Sequence, residues 1–214
     1  MKSRLPGPPG WAVPILSAVF VIAYSLLVLL RDAVQADAVL RWSLTVTAAG
    51  CWVALVLGFV VALARAGRGR RLAFAAGHRR ALAAAVFPLF GVFAILDYLA
   101  TIPGLRGNGG NALRSRVALQ AAAYAAALVY VIALAVLTVE RDSPGASIRT
   151  FGEAIWWSSV TVATVGYGDY TPVTPLGRAL AIVLMAGGLV IIGTASALIV
   201  SYLTERIRAR IPHD

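Results

Sequence analysis

The chain has 214 residues, 60% of them apolar and 13% charged, with a mean hydropathy of +0.83. Soluble domains carry about 25% charged residues, so this balance excludes a soluble enzyme and fits a chain whose outer surface meets lipid. The net charge of +10 sits between apolar runs and not along an aromatic-laced basic stripe, so it reports membrane topology and gives no sign of a nucleic-acid partner.

A crossing of about 30 Å of hydrocarbon needs about 20 apolar residues. The first run, Trp11 to Leu30, contains no charge and ends in Arg31-Asp32 without a small-residue cleavage site, so it reads as a retained helix and not a secretory signal. Ser43 to Ala64 is the second run, opened by Trp42 and followed by Arg65, Arg68, Arg70, Arg71, Arg79 and Arg80 with no acid among them. Such a loop belongs on the cytoplasmic side. Cys51, the single cysteine, lies within the second run and has no intrachain partner for a disulfide.

The third run, Leu82 to Ile102, carries Pro88, Gly91 and Asp97. Asp97 is the one ionisable residue deep in a run. It reads as a functional candidate or, more blandly, as a water-accessible or arginine-paired acid near a helix end. A second arginine-rich linker, Arg106 to Arg116, precedes the fourth run, Val117 to Val139, and the last run is Leu176 to Leu203. Both arginine-rich linkers look cytoplasmic, yet too few residues separate them for two full crossings. The conflict eases if the third region is two short or tilted helices, one from near Leu72 to around Pro88 or Gly91 and one continuing to about Leu113. Hydropathy alone counts five spans, and a six-helix layout is the alternative. The expected fold class is therefore an all-α membrane protein with five to six transmembrane helices.

Between the fourth and last runs, Thr150 to Ala163 is long enough to enter a bilayer and too short to leave it as a helix. Thr150 and Glu153 stand at capping-box spacing. Thr164-Val165-Gly166-Tyr167-Gly168 follows, in which glycines permit positive φ and leave room for carbonyls to point to one side. Polar backbone at membrane depth is tolerated where it lines a cavity or is buried in protein, and carbonyls lining a cavity form a cation site.

This segment resembles the selectivity filter of the tetrameric potassium channels, for which the same five residues serve as the standard illustration. The resemblance implies a re-entrant pore helix, fourfold assembly and K⁺ held by the carbonyls of Thr164, Val165, Gly166 and Tyr167, with the Thr164 hydroxyl as a further ligand. Gly168, Asp169 and Trp156 would support the filter, Trp156 by an indole hydrogen bond to Asp169. Val160 stands where some relatives carry a glutamate. In the last helix, Gly188 falls at the family's gating hinge, and Ile192, Ser196 and Val200 share a face that would line the inner cavity. Gly187, Gly188 and Gly193 read equally as close-packing positions, with Gly193, Ala197 and Ser201 forming a small-residue row.

The resemblance covers residues 117–205 as a pore domain. Residues 1–116 match only in layout, as a degenerate sensor-like domain, and 206–214 read as a short basic cytoplasmic tail. Phe90 to Ile102, where a voltage-sensing helix would carry an arginine every third position, contains no basic residue. The chain therefore reads as a homotetrameric K⁺ channel subunit of the cell membrane, with cytoplasmic termini and little voltage dependence. The alternative is a regulatory or silent subunit that conducts only with another chain. No cofactor, nucleic acid or small-molecule substrate other than ions is expected, and no nucleophile, phosphate loop or metal-spaced cluster points to an enzyme. His78 and His213 read as cytoplasmic surface residues.

Overall fold

The computed structural model describes residues 11–66, 71–100 and 110–208. The chain divides into two compact units, Met1–Leu105 and Arg106–Asp214. Every regular element in the described residues is helical.

In the first unit, α1 (Ala12–Leu29) and the short α2 (Arg31–Ala36) lead to α3 (Ala38–Arg65). Asp37 starts α3, its carboxylate accepting the Val39 N–H at 2.9 Å and the Leu40 N–H at 3.2 Å, so two of the helix's orphan donors are satisfied. The helices α1 and α3 pack through Phe20, Ala23 and Ala48. The end of α3 packs through Phe59, Ala62 and Ala66 onto Phe74 and Ala85.

The third apolar region is broken. It comprises α4 (Arg71–Gly77), α5 (Arg79–Val86), a 3₁₀ turn at Pro88–Phe90 and α6 (Gly91–Leu99). Pro88 has no N–H to continue α5, and Phe87 before it is forced out of the helical region to φ −130°, ψ 91°. The Ala85 carbonyl released by this break accepts the Trp52 indole N–H at 2.9 Å. Across the break α6 packs against both α5 and α1, so the chain turns sharply there. The break near Pro88 falls where the sequence places it, but the first half divides again at His78 and the α6 helix ends at Leu99. The proposed continuation towards Leu113 passes through residues 101–109, which lie outside the described residues.

Among the described residues, four helices are long and apolar enough to cross a membrane: Ala12–Leu29, Ala38–Arg65, Val117–Glu140 and Pro175–Thr204. The all-α membrane reading holds, and among the described residues neither half of the third region reaches spanning length. Asp97 sits partly buried two residues before the end of α6.

The second unit consists of α7 (Gly110–Glu140), α8 (Phe151–Val162) and α9 (Pro175–Arg208), each packed on the other two. Its core is the inward face of α7, including Ile132, Leu134 and Leu137, together with Ile148, Ala154 and Leu184. The helix α7 begins seven residues before the apolar run does, so Arg114 and Arg116 lie on its first turns and not in an irregular linker. Thr174 starts α9, its hydroxyl accepting the Gly177 N–H at 2.9 Å, with Pro175 at the first helical position where its missing N–H costs nothing.

Candidate ion-conduction site

The site is built on α8, whose 12 residues extend about 18 Å, too little to span a bilayer. Thr150 and Glu153 form a reciprocal capping box. Glu153 N–H donates to Thr150 Oγ1 at 3.3 Å, and Glu153 Oε2 accepts the Thr150 N–H at 2.7 Å and the Arg149 N–H at 2.8 Å. These backbone donors, Arg149 first and Thr150 next, hold the Glu153 carboxyl below its usual range.

At the other end of α8 the chain reverses over its last turn. Val160 O accepts the N–H groups of Val165 at 2.9 Å and Gly166 at 3.3 Å, and Thr161 O accepts that of Thr164 at 3.0 Å. This C-terminal end carries the negative pole of the helix dipole, equivalent to about half an elementary charge.

Above it, Thr164, Gly166 and Gly168 have φ of 59°, 57° and 80°, while Val165 and Tyr167 keep negative φ. Alternation of this kind turns successive carbonyls to one side of the chain, whereas an ordinary strand alternates them. Glycine adopts positive φ without penalty. Thr164 is the one non-glycine residue at positive φ among the described residues, and for a β-branched side chain that conformation costs about 1–3 kcal/mol.

The outer part of this segment is tied down by side chains. The Trp156 indole N–H donates to Asp169 Oδ2 at 2.7 Å, and the Trp156 ring stacks on Tyr167 with centroids 5.7 Å apart and planes 3° from parallel. Trp157, the next residue along α8, is buried.

Two residues not singled out by sequence, Glu140 and Ser147, complete the support. Glu140, fully buried at the end of α7, accepts the N–H groups of Val173 and Thr174, each at 3.0 Å, and the Thr174 hydroxyl at 2.6 Å. Ser147 Oγ accepts the Thr171 N–H at 3.0 Å and donates to the Thr171 carbonyl at 3.2 Å. Glu140 closes an otherwise charge-free apolar run, and that position is the only sequence signal that could have marked it.

On α9, Gly188 lies against the end of α8, where an added Cβ would meet the Val162 carbonyl at 3.1 Å, and Gly187 lies against Leu128. The helix runs unbroken through both. Ile192, Ser196 and Val200, and likewise Gly193, Ala197 and Ser201, are exposed. A cleft of about 620 Å³ lies between residues 164–168, α8 and α9, lined in part by Trp157, Thr161, Thr164, Arg178 and Met185. Among the described residues no group of three His, Cys, Asp or Glu side chains could hold a metal ion; the oxygens of residues 164–168 are their carbonyls and the hydroxyls of Thr164 and Tyr167.

Residues 122–205 match the family described as Ion channel. The chain is 43% identical over 68 residues to a voltage-gated potassium channel of Aeropyrum pernix, covering 30% of this chain and 23% of that protein. It is 42% identical over 72 residues to a calcium-gated potassium channel of Thermoplasma volcanium, covering 33% and 21%. With a cyclic nucleotide-gated potassium channel of Mesorhizobium japonicum it shares 32% identity over 81 residues, covering 38% and 23%. The chain thus spans about a fifth of the length of these relatives. Through residues 122–205 it is related to the ion-channel family and, within that family, to potassium channels.

Proposed function

We propose that the chain is a subunit of a potassium-selective channel, which carries K⁺ passively down its gradient through a pore built by four copies. The observation that carries this reading is the alternating φ of residues 164–168 above the C-terminal end of α8. Four such segments facing one axis would present rings of carbonyls from Thr164, Val165, Gly166 and Tyr167, and these would replace the hydration shell of K⁺. The negative ends of four α8 dipoles would favour the cation beneath them. Trp156 and Asp169 would hold the segment at its diameter, and Gly168 would let it leave the filter.

Fourfold assembly is supported by α9. Only 12% of its apolar stretch is buried within the chain, against 44% for Val117–Glu140. The exposed residues include Ile182, Met185, Leu189 and Val190, facing away from the buried Ala181 and Leu184, and this apolar surface calls for contact with other copies as well as lipid. In that assembly Ile192 and Ser196 would line the inner cavity, and Gly188 would combine close packing with a hinge. The protein would reside in the cell membrane with both termini in the cytoplasm.

Voltage dependence would be weak, because residues 90–102 carry no basic side chain to move in the field. The same feature favours a second reading, a regulatory subunit that conducts only beside another chain. Purified protein in K⁺-loaded liposomes separates the two: K⁺ efflux from this chain alone, lost in Gly168→Ala, supports the channel. Absence of flux from a correctly assembled oligomer supports the regulatory subunit.

A further inference from the structure

The chain leaving residues 164–168 runs along the cleft of about 620 Å³, which Tyr170, Thr171 and Pro172 line. Three side chains hold this stretch, each from a different part of the second unit. Trp156 of α8 bonds Asp169, Glu140 of α7 bonds Val173 and Thr174, and Ser147, from the loop between α7 and α8, bonds Thr171. The Ser147 contact differs in kind from the other two. A hydroxyl both donates and accepts, and Ser147 Oγ does both to one residue, accepting the Thr171 N–H at 3.0 Å and donating to the Thr171 carbonyl at 3.2 Å. It does for Thr171 what the paired residue of a neighbouring strand would do. The neighbouring Pro172 carbonyl has a longer contact, from Arg178 Nε at 3.4 Å.

Ser147 can hold Thr171 only if its own loop is fixed, and residues 141–149 are tied at both ends. The Glu140 carbonyl accepts the Ser143 N–H at 2.8 Å, the Ser143 carbonyl accepts the Ala146 N–H at 3.2 Å, and Gly145 supplies the positive φ of 76° at this turn. Ala146 and Ile148, on either side of Ser147 in sequence, are buried, while Ser147 itself is half-buried. Arg149 closes the loop: its Nε donates to the Ala146 carbonyl at 3.0 Å, and its N–H donates to Glu153 Oε2 at 2.8 Å in the cap of α8.

We propose that Ser147 is a positioning residue for ion conduction, acting through Thr171 to keep residues 164–168 in the arrangement whose carbonyls ring the pore. The inference rests on the potassium-channel reading. In that reading a K⁺ ion bound among the carbonyls also favours the ordered arrangement, by mass action. Ion and hydroxyl therefore hold the same segment by two means, and loss of one raises the demand on the other. Removing the hydroxyl leaves conduction intact where K⁺ is abundant and shortens it where K⁺ is scarce. The ordinary net contribution of one hydrogen bond corresponds to about a fivefold rise in the K⁺ concentration needed.

The test uses the full chain, purified and placed in planar bilayers, with outer K⁺ varied against N-methyl-D-glucamine at constant ionic strength. The duration of channel openings is read for the wild type, Ser147→Ala and Ser147→Thr. At high K⁺ Ser147→Ala is expected to match the wild type, its K⁺ concentration for half-maximal duration is expected to rise about fivefold, and Ser147→Thr, which keeps the hydroxyl, is expected to restore it. Assembled size and unfolding midpoint of Ser147→Ala are expected to stay at wild-type values, since Ser147 lies outside the core. Superimposable K⁺ dependence of the wild type and Ser147→Ala overturns the proposal, as does Ser147→Thr behaving like Ser147→Ala. A shortening equal at every K⁺ concentration, or failure of Ser147→Ala to assemble, overturns it in favour of a purely structural role. Absence of K⁺ current from the wild type overturns the channel reading itself, and the proposal with it.

Discussion

Glu140 and Thr174, thirty-four residues apart, are joined by two hydrogen bonds to one carboxylate oxygen: Glu140 Oε1 accepts the Thr174 hydroxyl at 2.6 Å and the Thr174 amide at 3.0 Å. With the Val173 amide on Oε2, a fully buried carboxylate at the end of α7 fixes the segment that leads from the filter into α9. Glu140→Ala would orphan three donors, each costing about 1–3 kcal/mol. The expected outcome is a large fall in the thermal stability of the second unit, with Glu140→Gln intermediate because it keeps an acceptor and loses the charge. Thermal unfolding of the purified protein followed by circular dichroism checks the order.

The Trp156–Asp169 bond makes a separate prediction. Trp156→Phe keeps a ring to stack on Tyr167 and removes the 2.7 Å donor to Asp169. A hydrogen bond to a charged group is worth about 1.5–3 kcal/mol. The filter segment is therefore expected to become less persistent, seen as shorter single-channel openings with assembly retained. Asp169→Asn, which keeps an acceptor, should act more mildly.

Glu153 links the cap of α8 to pH. Its carboxyl is held below the usual range by the Arg149 and Thr150 amides, so its contribution is present above the ordinary glutamate pKa and lost as pH falls through the lowered folded value. Unfolding midpoints measured from pH 6 downward should drop, and Glu153→Gln should flatten that drop. Thr150→Ala, which removes the other half of the box, is expected to cost about 1 kcal/mol at neutral pH.

The cap, the short helix α8 and the glycine positions are legible because each is local: Thr150 and Glu153 three apart, a 14-residue stretch too short to cross, and Gly166 and Gly168 two apart. Glu140 was not, since its partners at 173 and 174 are brought to it only by the packing of α7 on α9. Thr164 at positive φ runs against the preference of a β-branched side chain, so no propensity could announce it. The third region shows the limit of hydropathy. Apolar content records how much chain can sit in lipid, not whether it continues or turns back, and Pro88 marked the break without giving its direction. From sequence alone, Gly188 fits hinge and packing equally. The 3.1 Å approach of an added Cβ to the Val162 carbonyl shows the packing role in the single chain.

The central claim is that residues 164–168 select K⁺ through their backbone. Current–voltage families from the purified protein in planar bilayers, with K⁺ on one side and Na⁺ on the other, test it most directly. The account predicts a reversal potential set by K⁺, no steep activation with voltage, and loss of current in Gly166→Ala and Gly168→Ala, where a Cβ at positive φ is strained. Equal permeation of Na⁺ and K⁺ by the wild-type protein, or normal K⁺ current through Gly168→Ala, would contradict it.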